Sequence, residues 1–220
     1  MKKQYIAFLG GTGLVLAFIV AGYFYKSRRA DELKSVAENR TNAAPLVRDY
    51  SQSTGPADAQ VTIVEFFDPD CETCRVFAPH VKGLLALHSG KIRLVLRYAP
   101  FHEGADTMVK ILEAARRQGK YWETLQVMFD TQPHWASHHH PQPDRIWEFL
   151  PSAGVNIEEI RRDMNSPRIL EIIRQDIADA QTLGVRQTPE FFVNGKPLPS
   201  FGLSQLTALV EAEIAASDRR

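Results

Sequence analysis

Cysteine is nearly absent from the chain, and neither sign of charge dominates. Only 2 of the 220 residues are cysteines, too few for the disulfide framework of a small secreted scaffold. Lysine and arginine together number 26, as do aspartate and glutamate, and no long basic run occurs. This balance argues against a phosphate-binding surface and predicts that nucleic acid is not a partner. A chain of this length can bury a sizeable core without disulfides.

The N-terminal region contains a long stretch without charge. From Gln4 to Tyr25 the sequence reads QYIAFLGGTGLVLAFIVAGYFY, with basic residues on both sides. A helix of this length can cross a hydrocarbon layer about 30 Å thick. A cleaved signal peptide, the alternative, has a shorter apolar core of about 7–15 residues, and no clear small-x-small cleavage site follows here. We therefore predict a single transmembrane anchor in residues 1–25, whose orientation the flanking charges encode only weakly.

Behind the predicted anchor, residues 26–58 are polar and end in the turn-rich stretch SQSTGPADAQ, which indicates a tether. The run VTIVEFF then predicts a buried strand, CETCRVFAPHVKGLLALHSG a helix, and KIRLVLRYAP a second strand. Strand, helix and strand in this order indicate a unit with parallel strands. These elements open a predicted α/β domain.

From about Glu103 to Leu183, over roughly 80 residues, the periodicity predicts helices only. Strand character returns in TPEFFVNGKPL, where NG predicts a tight hairpin turn, and LSQLTALVEAEIAA predicts a last helix. We therefore predict an α/β domain made of residues 59–102 and 184–220, split by an all-helical insertion of residues 103–183.

The two cysteines stand three positions apart in DPDCETCRVFAPHV. Cys71 is expected at the first turn of its helix, where free N–H groups and the helix dipole stabilise a thiolate. Cys74, one turn later, is near enough to form and resolve a disulfide with it. Closing so short a loop removes little entropy from the unfolded chain, so the pair is a poor structural staple. The spacing therefore indicates thiol–disulfide exchange.

Metal binding is the main alternative for this pair. Zinc requires four ligands, and with no second Cys-x-x-Cys, His80 and another histidine would have to complete the set. Capture of Cu(I) by the two thiolates remains open. The proline-rich loop HWASHHHPQPD contains His134, His138, His139 and His140, but it has no carboxylate or cysteine at ligand spacing beside them, so we predict a solvated loop and no metal site.

Together these features resemble the thioredoxin superfamily, and more closely the membrane-tethered branch of the DsbA-like thiol-disulfide oxidoreductases. The resemblance is carried by Cys71 and Cys74, by Pro79 five residues later, and by the Thr188–Pro189 pair. The segments GPADAQVTIVEFFD and EAARRQGKYWE have close counterparts in that branch, and the helical insertion fits its architecture. The similarity extends over about residues 45–215.

The resemblance implies roles for three further residues. Glu65 matches the buried acid that relays a proton to or from the resolving cysteine, and burial would raise its pKa. An outward-facing strand carboxylate is the alternative. Pro189 matches a cis-proline that leaves the backbone of Thr188 exposed to pair with an extended substrate. An ordinary trans proline opening an edge strand is the alternative.

The chain departs from the family between the cysteines. Strong oxidants of the group have a histidine where Thr73 stands, and here Asp68, Asp70 and Glu72 supply negative charge instead. Exposed carboxylates act weakly in water, whereas a helix N-terminus contributes about 0.3–2 kcal/mol. We therefore predict a Cys71 pKa below that of a free thiol, without the extreme depression of the strongest oxidants.

The predicted function is that of a protein thiol-disulfide oxidoreductase, most simply a moderate dithiol oxidase that uses no cofactor. Its partners would be cysteine-containing substrate proteins and a membrane or soluble redox protein that resets the pair. Because disulfide chemistry suits an oxidising compartment, we expect the domain in the bacterial periplasm, anchored in the inner membrane. A reductase or isomerase of the same fold, or a thiol-based copper or zinc handler, is the alternative.

Overall fold

The computed structural model describes residues 20–29, 45–136 and 142–219. Residues 20–29 form helix α1, which is exposed throughout. Within the described ranges, no helix has both the length and the hydropathy to span a bilayer. Residues 1–19, which make up most of the predicted anchor, lie outside these ranges.

A five-stranded mixed sheet forms the centre of the domain, with strand order β1-β3-β2-β4-β5. As predicted, β2 and β3 are parallel neighbours, and all other pairs are antiparallel. Both central strands consist mainly of apolar and β-branched residues and are almost wholly buried, as expected for strands covered on both faces. The strands are β1 (Gln52–Thr54), β2 (Val61–Phe67), β3 (Ile92–Tyr98), β4 (Glu190–Val193) and β5 (Lys196–Pro197).

Helices connect and cover this sheet. Helix α2 links β2 to β3, five helices lie between β3 and β4, and α8 closes the chain. Between β3 and β4 the described residues contain no strand. The helices are α2 (Glu72–Leu87), α3 (Ala105–Arg117), α4 (Tyr121–Trp135), α5 (Ile146–Phe149), α6 (Ile157–Asp163), α7 (Pro167–Leu183) and α8 (Leu203–Ser217), with 3₁₀ turns at Pro143–Arg145 and Leu150–Ala153.

The two faces of the sheet pack against different helices. On one face, Ile63 and Phe67 of β2 join a large apolar core with residues of α2, α3, α4 and α8. On the other, Val64 and Phe66 pack against the C-terminal part of α7. The last helix of the segment predicted as an insertion is therefore also the layer that covers the second face of the sheet.

The N-terminal boundary of the domain differs from the sequence prediction. Residues 45–58 were assigned to the tether, but β1 pairs antiparallel with β3 along this segment. Arg97 of β3 also donates hydrogen bonds to the carbonyls of Pro45 and Leu46, at 3.0 and 2.8 Å. The pairing of so short and polar a strand depends on the neighbouring strand and not on local propensity, which is why the sequence pattern indicated a tether.

Candidate active site

The two cysteines lie where β2 leads into α2. Cys71 occupies the N-cap of α2 with an extended backbone (φ −75°, ψ 117°), and Cys74 follows in the first helical turn. Both are free cysteines in the structure. Cys71 is 5% exposed and Cys74 is 0% exposed, so an attacking group reaches the first sulfur before the second.

The environment of Cys71 favours its thiolate. Its pKa is lowered to about 5, chiefly by a hydrogen bond from the Cys74 thiol, which outweighs the opposing effect of burial. Hydrogen bonds from the side chain of Thr188 and from the backbone N–H groups of Cys74 and Thr73 add to the effect. The predicted direction of the shift is correct. The sequence analysis placed the main cause in the helix N-terminus, whereas the neighbouring thiol contributes more.

The pKa of Cys74 is shifted in the opposite direction to that of Cys71. Burial raises its pKa well above the ordinary value, and the hydrogen bond to Cys71 and the charges of Glu65 and Cys71 raise it further. One sulfur is thus held as an anion and the other as a neutral thiol. This is the arrangement that exchange chemistry requires, because a thiolate is the nucleophile and a protonated neighbour can stabilise it.

Glu65 lies beneath the pair on the covered face of β2 and is 5% exposed, so the outward-facing alternative is wrong. Its pKa is raised to about 8, first by burial and second by the charge of Cys71. No described residue hydrogen-bonds its carboxyl group. The carboxyl lines an apolar cavity of about 530 Å³, together with Phe67, Leu96, Trp122 and Phe129 among others.

The Thr188–Pro189 peptide bond is cis, as the resemblance implied. It precedes β4, and the backbone carbonyl oxygen of Thr188 lies 3.2 Å from Cys71 Sγ. A segment more than 100 residues from the cysteines in sequence thus contacts the nucleophile directly. Of the residues between the cysteines, Glu72 is exposed and Thr73 half-buried, while Pro79 lies inside α2 on its exposed side.

Asp68 is a site residue that the sequence analysis treated only as a source of charge. Its fully buried carboxylate accepts hydrogen bonds from the backbone N–H of Asp70 at 2.8 Å, and from those of Phe101 and His102 at 2.7 and 2.9 Å. His102 Nδ1 lies 2.8 Å from the same carboxylate. Asp68 therefore fixes the loop before α2 to the loop after β3.

Gln132 of α4 is a second residue without a sequence signal. Its buried Nε2 donates to the carbonyls of Pro69 and Cys71, at 2.8 and 3.1 Å. Its Oε1 accepts from Arg75 Nε at 3.0 Å. The helical region thereby holds the backbone of the nucleophile in place, through contacts that depend on how α4 packs against α2.

The histidines considered for metal binding are placed otherwise. His80 lies 2.9 Å from the Thr207 hydroxyl, and His134 stacks on Phe149 with ring centroids 5.7 Å apart. The other histidines of that loop, at positions 138–140, fall outside the described residues. In the described part of the chain, no group of three or more His, Cys, Asp or Glu side chains is arranged to hold a metal ion.

The described geometry combines a Cys-x-x-Cys at a helix N-terminus with a cis-proline beside it, and a family model described as thioredoxin matches residues 48–212. The chain belongs to the thioredoxin family. A thioredoxin-like oxidoreductase from Silicibacter pomeroyi DSS-3 is 31% identical, with a TM-score of 0.65, over 76% of this chain and 94% of that one. The similarity thus extends over nearly the whole of that thioredoxin-like oxidoreductase.

Two further proteins resemble this chain, one in fold and one in sequence. Wolbachia pipientis alpha-DsbA1 shares the fold at 16% identity, with a TM-score of 0.67, over 79% of this chain and 95% of that one. The Na(+)/H(+) antiporter NhaA of Herminiimonas arsenicoxydans is 30% identical over 198 residues, which are 90% of this chain. This thioredoxin-family chain spans 30% of the length of that protein.

Proposed function

We propose that the chain is a dithiol oxidase that transfers its Cys71–Cys74 disulfide to cysteine-containing proteins outside the cytoplasm. The observation that carries the proposal is the division of the pair into a Cys71 thiolate, with a pKa of about 5, and a buried, protonated Cys74. A thiolate stabilised in the reduced protein makes its disulfide easier to reduce, and hence more oxidising.

The reaction proceeds in two exchanges. A substrate thiolate attacks Sγ of Cys71, the Cys71–Cys74 bond breaks, and its electron pair leaves on Cys74, which takes a proton. A second substrate thiolate then attacks the substrate sulfur of the mixed disulfide, and Cys71 leaves as a thiolate. The substrate loses two electrons and two protons. The pair gains the two electrons, Cys74 gains one proton, and the substrate protons pass to solvent.

Glu65 has the properties needed to supply that proton. With a pKa of about 8 it is mostly protonated at neutral pH, and its charge interacts with both sulfurs. The carboxyl group can therefore give a proton to Cys74 as the disulfide opens, and take it back when the pair is reoxidised. Thr188 and Pro189 would meanwhile present a backbone edge to the substrate.

The same reasoning supports a membrane-anchored, periplasmic enzyme that a separate redox protein resets. The uncharged run in residues 4–25 supports the anchor, and the antiporter names of several relatives point to a membrane context. An oxidising compartment would keep the pair ready to donate its disulfide.

Turnover in a purified system tests the proposal. The full chain in detergent, at one-twentieth the concentration of a reduced, unfolded test protein with oxidised glutathione, should give many disulfides per enzyme molecule. The Cys71→Ser variant should be inactive, and Cys74→Ser should accumulate a mixed disulfide. Stoichiometric metal binding without turnover would contradict the proposal and favour the metal-handling alternative. A reduction potential near that of thioredoxin would indicate a reductase.

A further inference from the structure

His102 contacts Asp68 in the loop before Cys71, although it is 31 positions from that cysteine in sequence. Because β2 and β3 are parallel neighbours, with Phe67 opposite Tyr98, the loops that follow them leave the same edge of the sheet. The hydrogen bond from the Ala99 N–H to the Phe67 carbonyl, at 2.9 Å, continues this pairing past the strands. The β3 loop therefore runs beside the loop that leads to Cys71.

A built contact fixes the imidazole of His102 at this place. The carboxylate of Asp68, 0% exposed, lies 2.8 Å from Nδ1 and also accepts the backbone N–H of His102. The imidazole itself is about one-third exposed, with 34% of its side-chain surface accessible. One side of the ring is thus bound to a buried acid, while about a third of the side chain is exposed to solvent.

Negative charge is concentrated on the other side of this contact. Asp68 and Asp70 are both buried, and Asp70 directly precedes Cys71. One oxygen of Asp70, Oδ1, is buried without a hydrogen-bond partner among the described residues. Burial and the charge of Asp68 raise the Asp70 pKa to about 7, while the charge of His102 lowers it. Asp68, and Asp70 where it is ionised, would destabilise a nearby thiolate unless a cation offsets their charge.

We propose that protonated His102 is a positioning residue that offsets the two aspartates, stabilises the Cys71 thiolate from outside the Cys-x-x-Cys segment, and so makes the disulfide more oxidising. The inference rests on the proposed function, since it concerns the same exchange reaction. It assigns to the β3 loop a role in setting the redox equilibrium.

The charges around His102 favour its protonated form. Burial lowers its pKa, but the hydrogen bond and charge of Asp68 raise it more, followed by the charges of Cys71 and Asp70, and the net shift is upward. From α3, Asp106 acts on Asp70 and is itself paired with Lys110 at 2.6 Å, so this helix adds little net charge. Glu103, the next residue in the loop, is exposed.

The consequence depends on the redox state. In the dithiol form the charge of the Cys71 thiolate acts on His102, and in the disulfide form that sulfur is uncharged. A positive charge therefore stabilises the reduced protein more than the oxidised one. By linkage, the pKa of His102 must be higher in the reduced protein, and the effect must disappear once the pH exceeds that pKa.

The test compares His102→Gln with the wild type in the full-length protein. Glutamine can still donate a hydrogen bond to Asp68 but carries no charge. At pH 6 we expect the thiolate-forming equilibrium of Cys71, followed by absorbance at 240 nm, to weaken roughly three- to ten-fold. The equilibrium constant with glutathione should shift by the same factor toward the protein disulfide. Both differences should vanish at high pH, where His102 of the wild type is neutral.

His80→Gln is the matched control, because it makes the same change on α2 at a histidine bonded to Thr207, and it should leave both equilibria unchanged. His102→Lys should restore most of the effect by restoring the charge. A His102→Gln shift that is equal at all pH values, or equal to that of His80→Gln, would overturn the proposal.

A second measurement does not depend on the variant folding. In the wild-type protein, the NMR titration of the His102 ring should give a higher pKa in the dithiol form than in the disulfide form. Equal His102 values would refute the inference. If these couplings are present but no substrate is oxidised, the proposed function fails while the electrostatic role of His102 stands.

Discussion

Each face of the central sheet buries acidic side chains, but the negative charge of these side chains is neutralised in a different way on each face. On the face covered by α2, Glu65 forms no ion pair with any described residue, and its pKa of about 8 leaves it mostly protonated at neutral pH. On the face covered by α7, Asp176 and Asp179 surround the fully buried guanidinium of Arg97. One face thus uses a mobile proton, and the other a permanent counter-charge.

On the paired face, which is the α7 side with Arg97, Asp176 and Asp179, almost every polar side-chain atom of these residues has a hydrogen-bond partner. Arg97 Nε donates to Asp176 at 3.0 Å, and its Nη2 to Asp179 at 2.5 Å. Asp176 also accepts the backbone N–H of Tyr98 at 2.8 Å and the hydroxyl of Tyr50 at 2.7 Å. Such a network resists change because removing one member leaves a buried charge unpaired. The Glu65 face lacks such a network, which suits the proton transfer proposed for Glu65.

The largest effect is expected from breaking the paired face. Arg97→Met should lower the free energy of unfolding by about 3–5 kcal/mol, since two buried carboxylates lose their counter-charge. Urea denaturation would measure this. Arg93→Met on the same strand is the control, because Arg93 is only half-buried and has one 3.3 Å hydrogen bond to Ser53. Similar losses in the two variants would show that Arg97 is not the centre of a buried network.

Glu65→Gln should produce an intermediate effect that depends on pH. The pKa of Glu65 is about 8 in the folded protein and about 4.3 in an unfolded chain. The contribution of this carboxyl group to the free energy of unfolding is therefore fully present at low pH and is lost as the pH rises through 8. Between pH 5 and 9 the unfolding free energy of the wild type should fall by about 2–4 kcal/mol relative to Glu65→Gln.

Urea unfolding at a series of pH values measures this difference. Parallel stability curves for the two proteins would mean that Glu65 does not titrate in this range. In the exchange assay the same variant should also slow opening of the disulfide, because Cys74 loses its nearby proton donor.

The smallest effect is expected at the rim of the paired face. Arg48 binds both oxygens of Asp179, at 2.9 and 2.8 Å, but is itself 29% exposed, and Asp179 keeps its contact with Arg97. Arg48→Met should therefore cost only about 0.5–1 kcal/mol, and less at high salt. Lys91→Met, which breaks an exposed pair with Asp218, offers a reference near zero. If Arg48→Met lowered the free energy of unfolding as much as Arg97→Met, Arg48 and not Arg97 would be the main counter-charge of the network.

Local patterns were enough to predict the redox centre of the fold. The strand, helix and strand around the cysteines follow from runs of apolar residues and helical spacing, and the parallel pairing follows from their order. The inward direction of Glu65 was harder to predict, because a strand buried on both faces shows no alternation of polarity. The site's remaining parts depend on packing between distant segments, as Gln132 on α4 illustrates.

The position of His102 near Asp68 could be predicted from the order of the strands. Once β2 and β3 are assigned as parallel neighbours, residues just after each strand must meet at one edge of the sheet. Asp68 follows β2 directly, and His102 follows β3 by four residues. The β1 strand offered no comparable signal, since three polar residues become a strand only when β3 is there to pair with them.

The attachment of residues 45 and 46 to Arg97 also sets how far the domain can travel. Leu46 packs on the α7 side of the sheet, so the polypeptide enters the domain from the face opposite α2. If residues 1–25 anchor the chain, only the fifteen positions 30–44 lie between α1 and the folded domain. Even fully extended, these span at most about 50 Å. The enzyme would then act only on substrates within this distance of the bilayer. Its reactive sulfur would lie on the side of the domain opposite the point where the linker enters.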